Sequence, residues 1–196
     1  SYNNYNDIFS ALLISKSLPK NKGTVIVKHS NPCGVSINKN KVKSYKLALS
    51  CDPISAFGGV VACNFKIKKN LALEMKKIFL EIIVCNGIEN DALKILKNKK
   101  NLRIIDSSYL NKMNINQISS NINSYLLQTS DNFSFLRSNF KIVSKIKPSS
   151  KTLNNLLFAF NICRFVKSNA IVLANKDTTI GIGSGQSSRL DSCEIA

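Results

Sequence analysis

The side chains best suited to proton and charge transfer are two neighbours, Lys28 and His29, and His29 is the only histidine of the 196 residues. An imidazole changes its protonation near neutral pH, and an ammonium group can stabilise a developing negative charge. The pair follows four β-branched residues, 24–27, which favour a strand. Ligands of open α/β sheets lie at strand carboxyl ends, so the sequence predicts a binding edge here. A solvated lysine beside a hydrogen-bonded structural histidine is the alternative.

The segment after this pair, residues 30–34, is predicted to end the strand. Pro32 donates no backbone N–H and restricts Asn31 to extended geometry, so we expect the hydrogen-bond ladder to break at that point. Successive side chains of a strand point to opposite faces. A shared role for Lys28 and His29 therefore requires the backbone to leave the strand at or before His29.

A glycine-rich stretch, residues 181–189 (GIGSGQSSR), is the second candidate site. Glycines allow a backbone to approach a ligand closely, a helix N-terminus attracts anions, and Arg189 is a forked donor for phosphate or carboxylate. The spacing fits neither a dinucleotide fingerprint nor a Walker loop. A hairpin followed by a helix cap, with Arg189 solvated, explains the same residues.

Three further positions are candidates for ligand contacts. Asn169 lies between a predicted long helix and a buried strand, where its amide could bind another amide, or where it could simply form a turn. The loop of residues 52–59 is rich in Pro, Gly and Ser, and its alternative role is a loop held to the core by Phe57. Glu81 opens an apolar strand, a position where most acids are merely exposed.

Short apolar strands alternate with amphipathic helices along the chain, which is the pattern of a layered α/β domain. The Ser- and Asn-rich pieces within residues 106–150 are interpreted as loops. Helices are predicted over residues 7–17, 42–49, 71–80, 90–97 and 152–166, with another opening near 189. Strands are predicted over residues 24–27, 60–64, 82–85, 102–105, 125–128, 140–146, 170–174 and 178–182, the last two as a hairpin.

Composition restricts the classes of partner. The net charge of +17 comes from 28 Lys and Arg against 11 Asp and Glu, and a field of this sign attracts phosphates. The excess is nearly all lysine scattered among Asn and Ile, which indicates compositional drift more than a dedicated nucleic-acid surface. Six cysteines without a C-x-x-C pair, and one histidine, disfavour a standard zinc site and indicate reduced thiols in the cytoplasm. No apolar run is long enough to span a bilayer, so no membrane is expected.

Five motifs occur in an order that resembles one enzyme family. They are residues 1–4 (SYNN), 28–34 (KHSNPCG), 51–59 (CDPISAFGG), 167–170 (KSNA) and 181–189 (GIGSGQSSR). Together they resemble the bifunctional purine-biosynthesis proteins that join AICAR transformylase to IMP cyclohydrolase, a transferase and a hydrolase in one chain. The resemblance covers part of the transformylase region, without the cyclohydrolase domain, the segment before Ser1 or the C-terminal part. We therefore expect a piece of a longer protein that is inactive alone.

The resemblance implies a cytidine-deaminase-like layered α/β fold in two related halves. The first half would span residues 1–145, and residues 146–196 would begin the second. It also implies homodimers with shared sites. The implied reaction is attack of the exocyclic amine of AICAR on the formyl group of 10-formyltetrahydrofolate, with no metal required.

The resemblance also implies roles for individual residues. His29 would assist proton transfer, Lys28 would place positive charge at the formyl oxygen or leaving nitrogen, and Asn169 would hold the carboxamide and help orient His29. The residues implied in binding nucleotide or folate are Phe57, Gly58, Glu81, Gln186, Ser187, Ser188 and Arg189.

Two other functions are weighed against this one. A zinc-dependent deaminase-type enzyme on the same scaffold would need ligands, but the sequence lacks a His-x-Glu and a Cys-x-x-Cys. A basic RNA-binding module would exploit the net charge, and it would show a steep dependence of affinity on salt.

Overall fold

The computed structural model describes residues 1–110, 117–131, 133 and 135–196. In chain order its elements are α1 Tyr2–Ser17, β1 Gly23–Lys28, β2 Asn31–Ile37, α2 Lys41–Leu49, β3 Gly59–Cys63, α3 Lys69–Met75, β4 Leu80–Cys85, α4 Asn90–Lys97, β5 Arg103–Asp106, β6 Gln117–Asn121, β7 Ser124–Gln128, a 3-10 turn Arg137–Asn139, α5 Ser150–Cys163, β8 Ile171–Asn175, β9 Thr178–Gly183 and α6 Arg189–Ile195.

Seven strands form one mixed sheet in the order β5-β4-β3-β1-β2-β9-β8, and β6 pairs with β7 separately. β1 is antiparallel to both β2 and β3, whereas β3, β4 and β5 are mutually parallel. β9 is antiparallel to β2 and to β8. This sheet with helices confirms the predicted layered α/β class.

These strand directions bring one end of each of the seven strands to the same edge of the sheet, which we call the His29 edge. The carboxyl ends of β1 and β9 lie there, together with the amino ends of β2, β3, β4, β5 and β8. The opposite edge carries the carboxyl ends of β3, β4 and β5. Every candidate residue predicted from the sequence belongs to a segment that begins or ends at the His29 edge.

Two apolar clusters cover the faces of the sheet. On one face, alternate strand residues such as Ile26 and Val61 pack with residues of α2, α3 and α4, including the buried Tyr45. On the other face, residues such as Val25 pack with α1 and α5. The alternation follows from the two-residue period of a strand. Residues 25–27 of β1 are therefore buried between helices on the two faces of the sheet.

Asn64 fixes the start of β1 at the edge opposite to His29. Its side-chain oxygen accepts hydrogen bonds from the backbone N–H groups of Lys22 and Gly23, at 3.0 and 2.8 Å. Its amide donates to the carbonyls of Ser15 and Pro19, at 3.2 and 3.0 Å. One side chain thus joins the end of α1 to the first strand.

The prediction that Asn31 and Pro32 end the ladder is wrong. Both residues lie within β2, where Val27 pairs with Pro32 and Ile26 with Gly34. Cys33 is therefore the extra residue of a β-bulge, a position at which a sheet tolerates proline. The chain reverses earlier, through the two-residue turn His29-Ser30.

Other predicted elements shift for local reasons. The helix expected over residues 71–80 ends at Met75, because Leu80 already begins β4. Residues 140–146, expected as a strand, form none, and the ring of Phe140 instead packs edge-on against Phe160 of α5 at 5.2 Å. β6 was not predicted. The loops expected within residues 106–150 fall partly on 111–116, 132 and 134, outside the described residues.

The order helix, hairpin, helix occurs twice, as α1-β1-β2-α2 and as α5-β8-β9-α6. Each hairpin turns through two residues with positive φ, His29 and Ser30 at 52° and 61°, and Lys176 and Asp177 at 50° and 58°. The division of the chain into halves at residues 145 and 146 stays a prediction. Within the described residues, no helix combines the length and apolar character needed to cross a bilayer.

Gly34 allows α2 to lie directly on β2. A Cβ atom at this position would stand 1.9 Å from the backbone oxygen of Ala48, which no rotamer change could relieve. We expect Gly34→Ala to lower the free energy of unfolding by about 3 kcal/mol or more, measured by urea denaturation.

Gly185→Ala is the matched control, because its Cβ would meet nothing within 4 Å although φ is +69°. The left-handed backbone alone should lower the free energy of unfolding of that variant by about 1–2 kcal/mol. A loss for Gly34→Ala no larger than that of Gly185→Ala would contradict the close-approach explanation.

Candidate active site

Lys28 is the last residue of β1 and is partly exposed. Its Nζ donates a hydrogen bond of 2.7 Å to the backbone oxygen of Phe57, which lies just before β3. An ammonium group has three donors, so two remain for a ligand. The lysine therefore ties the loop of residues 51–59 to the His29 edge and still presents positive charge there.

His29 is exposed at the first position of the two-residue turn between β1 and β2. Both turn residues have left-handed backbone, which suits the twist of a tight hairpin but is unfavourable for residues other than glycine. The turn is held from α1, where Oδ1 of Asp7 accepts a 2.6 Å hydrogen bond from the backbone N–H of Ser30. The backbone thus leaves the strand at His29, as a shared role for Lys28 and His29 requires.

Asn31 joins this turn to the segment that precedes β8. Its Nδ2 donates to the backbone oxygen of His29 at 3.3 Å, and its Oδ1 accepts from the backbone N–H of Lys167 at 2.9 Å. The backbone oxygen of Lys167 in turn accepts from Gly185 at 2.8 Å. Three segments far apart in sequence are therefore connected by consecutive hydrogen bonds.

Asn169 organises the glycine-rich segment. Its Nδ2 donates to the backbone oxygens of Gln186 and Ser187, at 3.0 and 2.9 Å, and its backbone N–H also donates to Gln186 at 3.1 Å. Among the described residues, its side-chain oxygen accepts no hydrogen bond and its amide makes none to His29. The groups that hold the His29 turn are those of Asp7 and Asn31.

A cavity of about 420 Å³ lies beside the lysine–histidine pair. It combines the first candidate site with the loop of residues 51–59 and the glycine-rich segment. Its lining residues are Lys28, His29, Asn31, Pro32, Cys33, Asp52, Ser55, Ile182 and Ser184. Its functional groups are one ammonium, one imidazole, one carboxylate, one carboxamide, one thiol and two hydroxyl groups.

Several predicted binding residues lie at the His29 edge without lining this cavity. Phe57 is 59% exposed and its ring contacts that of Phe79 at 5.4 Å, so it does not hold the loop in the core. Gly58 donates to the backbone oxygen of Phe79 at 2.9 Å. Glu81, the second residue of β4, is partly buried. Arg189 is exposed at the start of α6.

The glycines of the second candidate site have different roles from those expected. A Cβ atom at Gly181 or Gly183 would stand 1.7 Å from a backbone oxygen of α6 or its end, so these two glycines admit the helix and not a ligand. Ser188 caps that helix, its hydroxyl accepting from the backbone N–H of Asp191 at 3.0 Å. The helix-cap interpretation is therefore correct for Ser188.

Asp7 and Cys33 were not predicted as site residues, and Asp52, Ser55 and Ser184 were predicted only as members of the candidate segments 52–59 and 181–189. The carboxylate of Asp52 accepts from the backbone N–H of Ser55 at 2.9 Å, a local turn that the Asp-Pro-x-Ser sequence could have indicated. Burial raises the pKa of the Cys33 thiol to about 12, and the charge of Asp52 acts in the same direction. Cys33 is therefore a neutral wall of the cavity and no nucleophile.

Potential metal ligands are not grouped in the part of the chain that the structure describes. No three or more His, Cys, Asp or Glu side chains lie close enough together there to hold a metal ion. The zinc-dependent alternative therefore lacks a ligand set among these residues.

Comparison with known proteins identifies the family. The AICARFT/IMPCHase bienzyme family model matches residues 1–196. The bifunctional purine biosynthesis protein PurH of Rhodospirillum rubrum is 40% identical over 198 residues, covering 100% of this chain and 38% of that protein. PurH of Prochlorococcus marinus is 42% identical over 207 residues, covering 100% and 40% respectively.

The chain thus spans about two fifths of the length of these relatives. Among solved structures, the dCMP deaminase of cyanophage S-TIM5 aligns with 52% of this chain and 98% of its own, at 10% identity and a TM-score of 0.39. The match of the family model over all 196 residues shows that the chain belongs to the AICARFT/IMPCHase bienzyme family.

Proposed function

We propose that this chain forms part of the formyltransferase site of a longer bifunctional purine-biosynthesis protein. The reaction would transfer a formyl group from 10-formyltetrahydrofolate to AICAR on the route to IMP. Family membership supports the reaction class. The observation that carries the proposal is the cavity in which Lys28 and His29 meet Ser184 of the glycine-rich segment.

The chemistry requires a base and a positive group at the reacting centre. The exocyclic amine of AICAR is conjugated to its ring and is a weak nucleophile, so its proton must leave as the new C–N bond forms. His29, exposed at the cavity, accepts that proton and returns it to the folate nitrogen as the old C–N bond breaks. Lys28 stabilises the oxyanion of the intermediate with the two donors that Phe57 does not occupy.

The remaining residues bind the two substrates. The side-chain oxygen of Asn169 accepts a hydrogen bond from the carboxamide of AICAR, while its amide holds Gln186 and Ser187 in position. Phe57 and Gly58 form a wall for the nucleotide, and Glu81 faces the folate. Ser188 and Arg189 lie between the formyl group and the pterin. The active form is a cytoplasmic homodimer with shared sites that needs no metal.

Replacement of the base tests the mechanism. Residues 1–196 would replace the matched region of the Rhodospirillum rubrum protein, and formyl transfer by the chimera would be followed by tetrahydrofolate release. We expect His29→Ala to lower kcat by at least about 100-fold, since general-base catalysis contributes that much or more.

Asn21→Ala is the matched control, because Asn21 is also exposed and left-handed, with φ of 61°, at the other end of β1. It should retain activity within about threefold. An inactive chimera, or a His29→Ala chimera with a near-parental kcat, would refute the proposed function.

Asn169 provides a test of substrate binding. Asn169→Ala removes the carboxamide acceptor and leaves the backbone oxygen of Ser187 without its donor, whereas Gln186 keeps the backbone N–H of residue 169. We therefore expect KM for AICAR to rise about tenfold or more. Steady-state kinetics at varied AICAR would measure it. Asn175→Ala, at the exposed carboxyl end of β8, is the control. Equal KM values for the two variants would exclude this role of Asn169.

A further inference from the structure

The turn that presents His29 rests on a carboxylate from another element. Oδ1 of Asp7 accepts a hydrogen bond of 2.6 Å from the backbone N–H of Ser30 and lies 3.4 Å from the Ser30 hydroxyl. A bond from a backbone N–H to a carboxylate is charge-assisted and stronger than one between neutral groups. It joins residues 23 positions apart, so it fixes the turn relative to α1.

The helix that carries Asp7 is itself firmly placed. Ala11 and Ile14 of α1 are almost completely buried against the sheet, in the cluster that includes Val25 and Val27 of β1. Asp7 stands one turn before Ala11 and two turns before Ile14, and its carboxylate contacts Ser30, just after the strand that they cover. The carboxylate is therefore a fixed support for the turn.

The backbone of the turn needs such support. His29 and Ser30 both have left-handed φ values, which L-residues other than glycine avoid. Asn31 supplies a second contact, a 3.3 Å hydrogen bond to the backbone oxygen of His29, which is the weaker of the two by length. Loss of the contact from Asp7 should allow the turn to relax and the imidazole to move.

The partner of Asp7 is unusual for this composition. The chain carries 28 Lys and Arg against 11 acids, so an available carboxylate would readily pair with lysine. Among the described residues the ion pairs involve Glu74, Glu89, Asp91 and Asp131, and Asp7 makes none. Its carboxylate instead accepts a hydrogen bond from the backbone of the His29-Ser30 turn.

We infer that Asp7 is a positioning residue that sets the conformation of the His29-Ser30 turn and thereby the place of the imidazole. The consequence for catalysis rests on the function proposed above, whereas the positioning itself does not. Asp7 touches no reacting group. It acts through the backbone N–H of Ser30.

The positioning can be measured on the 196-residue chain itself, because its single histidine gives one unambiguous set of imidazole NMR signals. We expect Asp7→Ala to shift or broaden those signals and to raise amide hydrogen exchange at Ser30 by about tenfold or more. Asp7→Asn, which keeps the acceptor oxygen, should stay close to wild type. Asp91→Ala removes the same charge from an exposed position at the start of α4 and should leave both readouts unchanged.

A second substitution separates positioning from general destabilisation. Ser30→Gly removes the penalty of left-handed backbone, so the double variant Asp7→Ala with Ser30→Gly should recover much of the wild-type imidazole spectrum. If Asp7→Ala does not fold, Asp7→Glu carries the test, because its displaced carboxylate should shift the same signals. Wild-type imidazole signals and Ser30 exchange in the folded Asp7 variant would overturn the inference.

Kinetics of the chimera give the catalytic consequence. Asp7→Ala should lower kcat about tenfold or more with little change in KM for either substrate, and Asp7→Asn should restore it. An active His29→Ala chimera would defeat the proposed function while leaving the spectroscopic result intact. Unchanged imidazole signals beside a dead His29→Ala chimera would defeat only the role of Asp7.

Discussion

The antiparallel pairing of β1 with both of its neighbours determines which chain ends meet. Because β1 points opposite to β2 and β3, its carboxyl end lies beside their amino ends. β9, antiparallel to β2, brings its own carboxyl end to the same edge. Reversing β1 would separate Lys28 and His29 from the other candidate residues. The strand directions thus determine which segments meet at the candidate site, and the loops determine the detailed positions of their side chains.

Close backbone contact between helix and strand is the second constraint, and it occurs in both hairpins. Gly34 admits α2 to β2, and Gly181 and Gly183 admit α6 to β9. Glycine at these positions therefore reflects packing. Because Arg189 is the first residue of α6, the close packing of α6 on Gly183 also influences the position of the Arg189 side chain. Gly181 and Gly183 therefore fix the geometry of residues 181–189, the segment that was predicted from the sequence as a ligand site.

Prediction from sequence succeeded where the signal was local and failed where a partner was distant. The bounds of α4 agree at Asn90 and Lys97, because its periodicity lies within one segment. β2 was missed, because Pro32 is a strand breaker unless a bulge at Cys33 accommodates it. Nothing local to Asp7 indicates that its partner is the backbone of Ser30. The motif order and the resemblance predicted a shared site, and the cavity is lined from residues 28–33, 52–55 and 182–184. The hydrogen bonds that hold these segments together were not predictable.

The overall charge of +17 and the charge at the site have separate physical roles. Interactions between exposed charges fall off over about 8 Å at physiological ionic strength, so scattered lysines act mainly on the approach of an anionic ligand. At the His29 edge, a carboxylate oxygen of Asp7 accepts a hydrogen bond from the backbone N–H of Ser30. A carboxylate oxygen of Asp52 likewise accepts from the backbone N–H of Ser55. The carboxylate of Asp52 also lines the same cavity as Lys28 and offsets part of its positive charge. An anionic ligand at this edge would therefore need N–H or O–H donors in direct contact with it, because charges on distant lysines are screened.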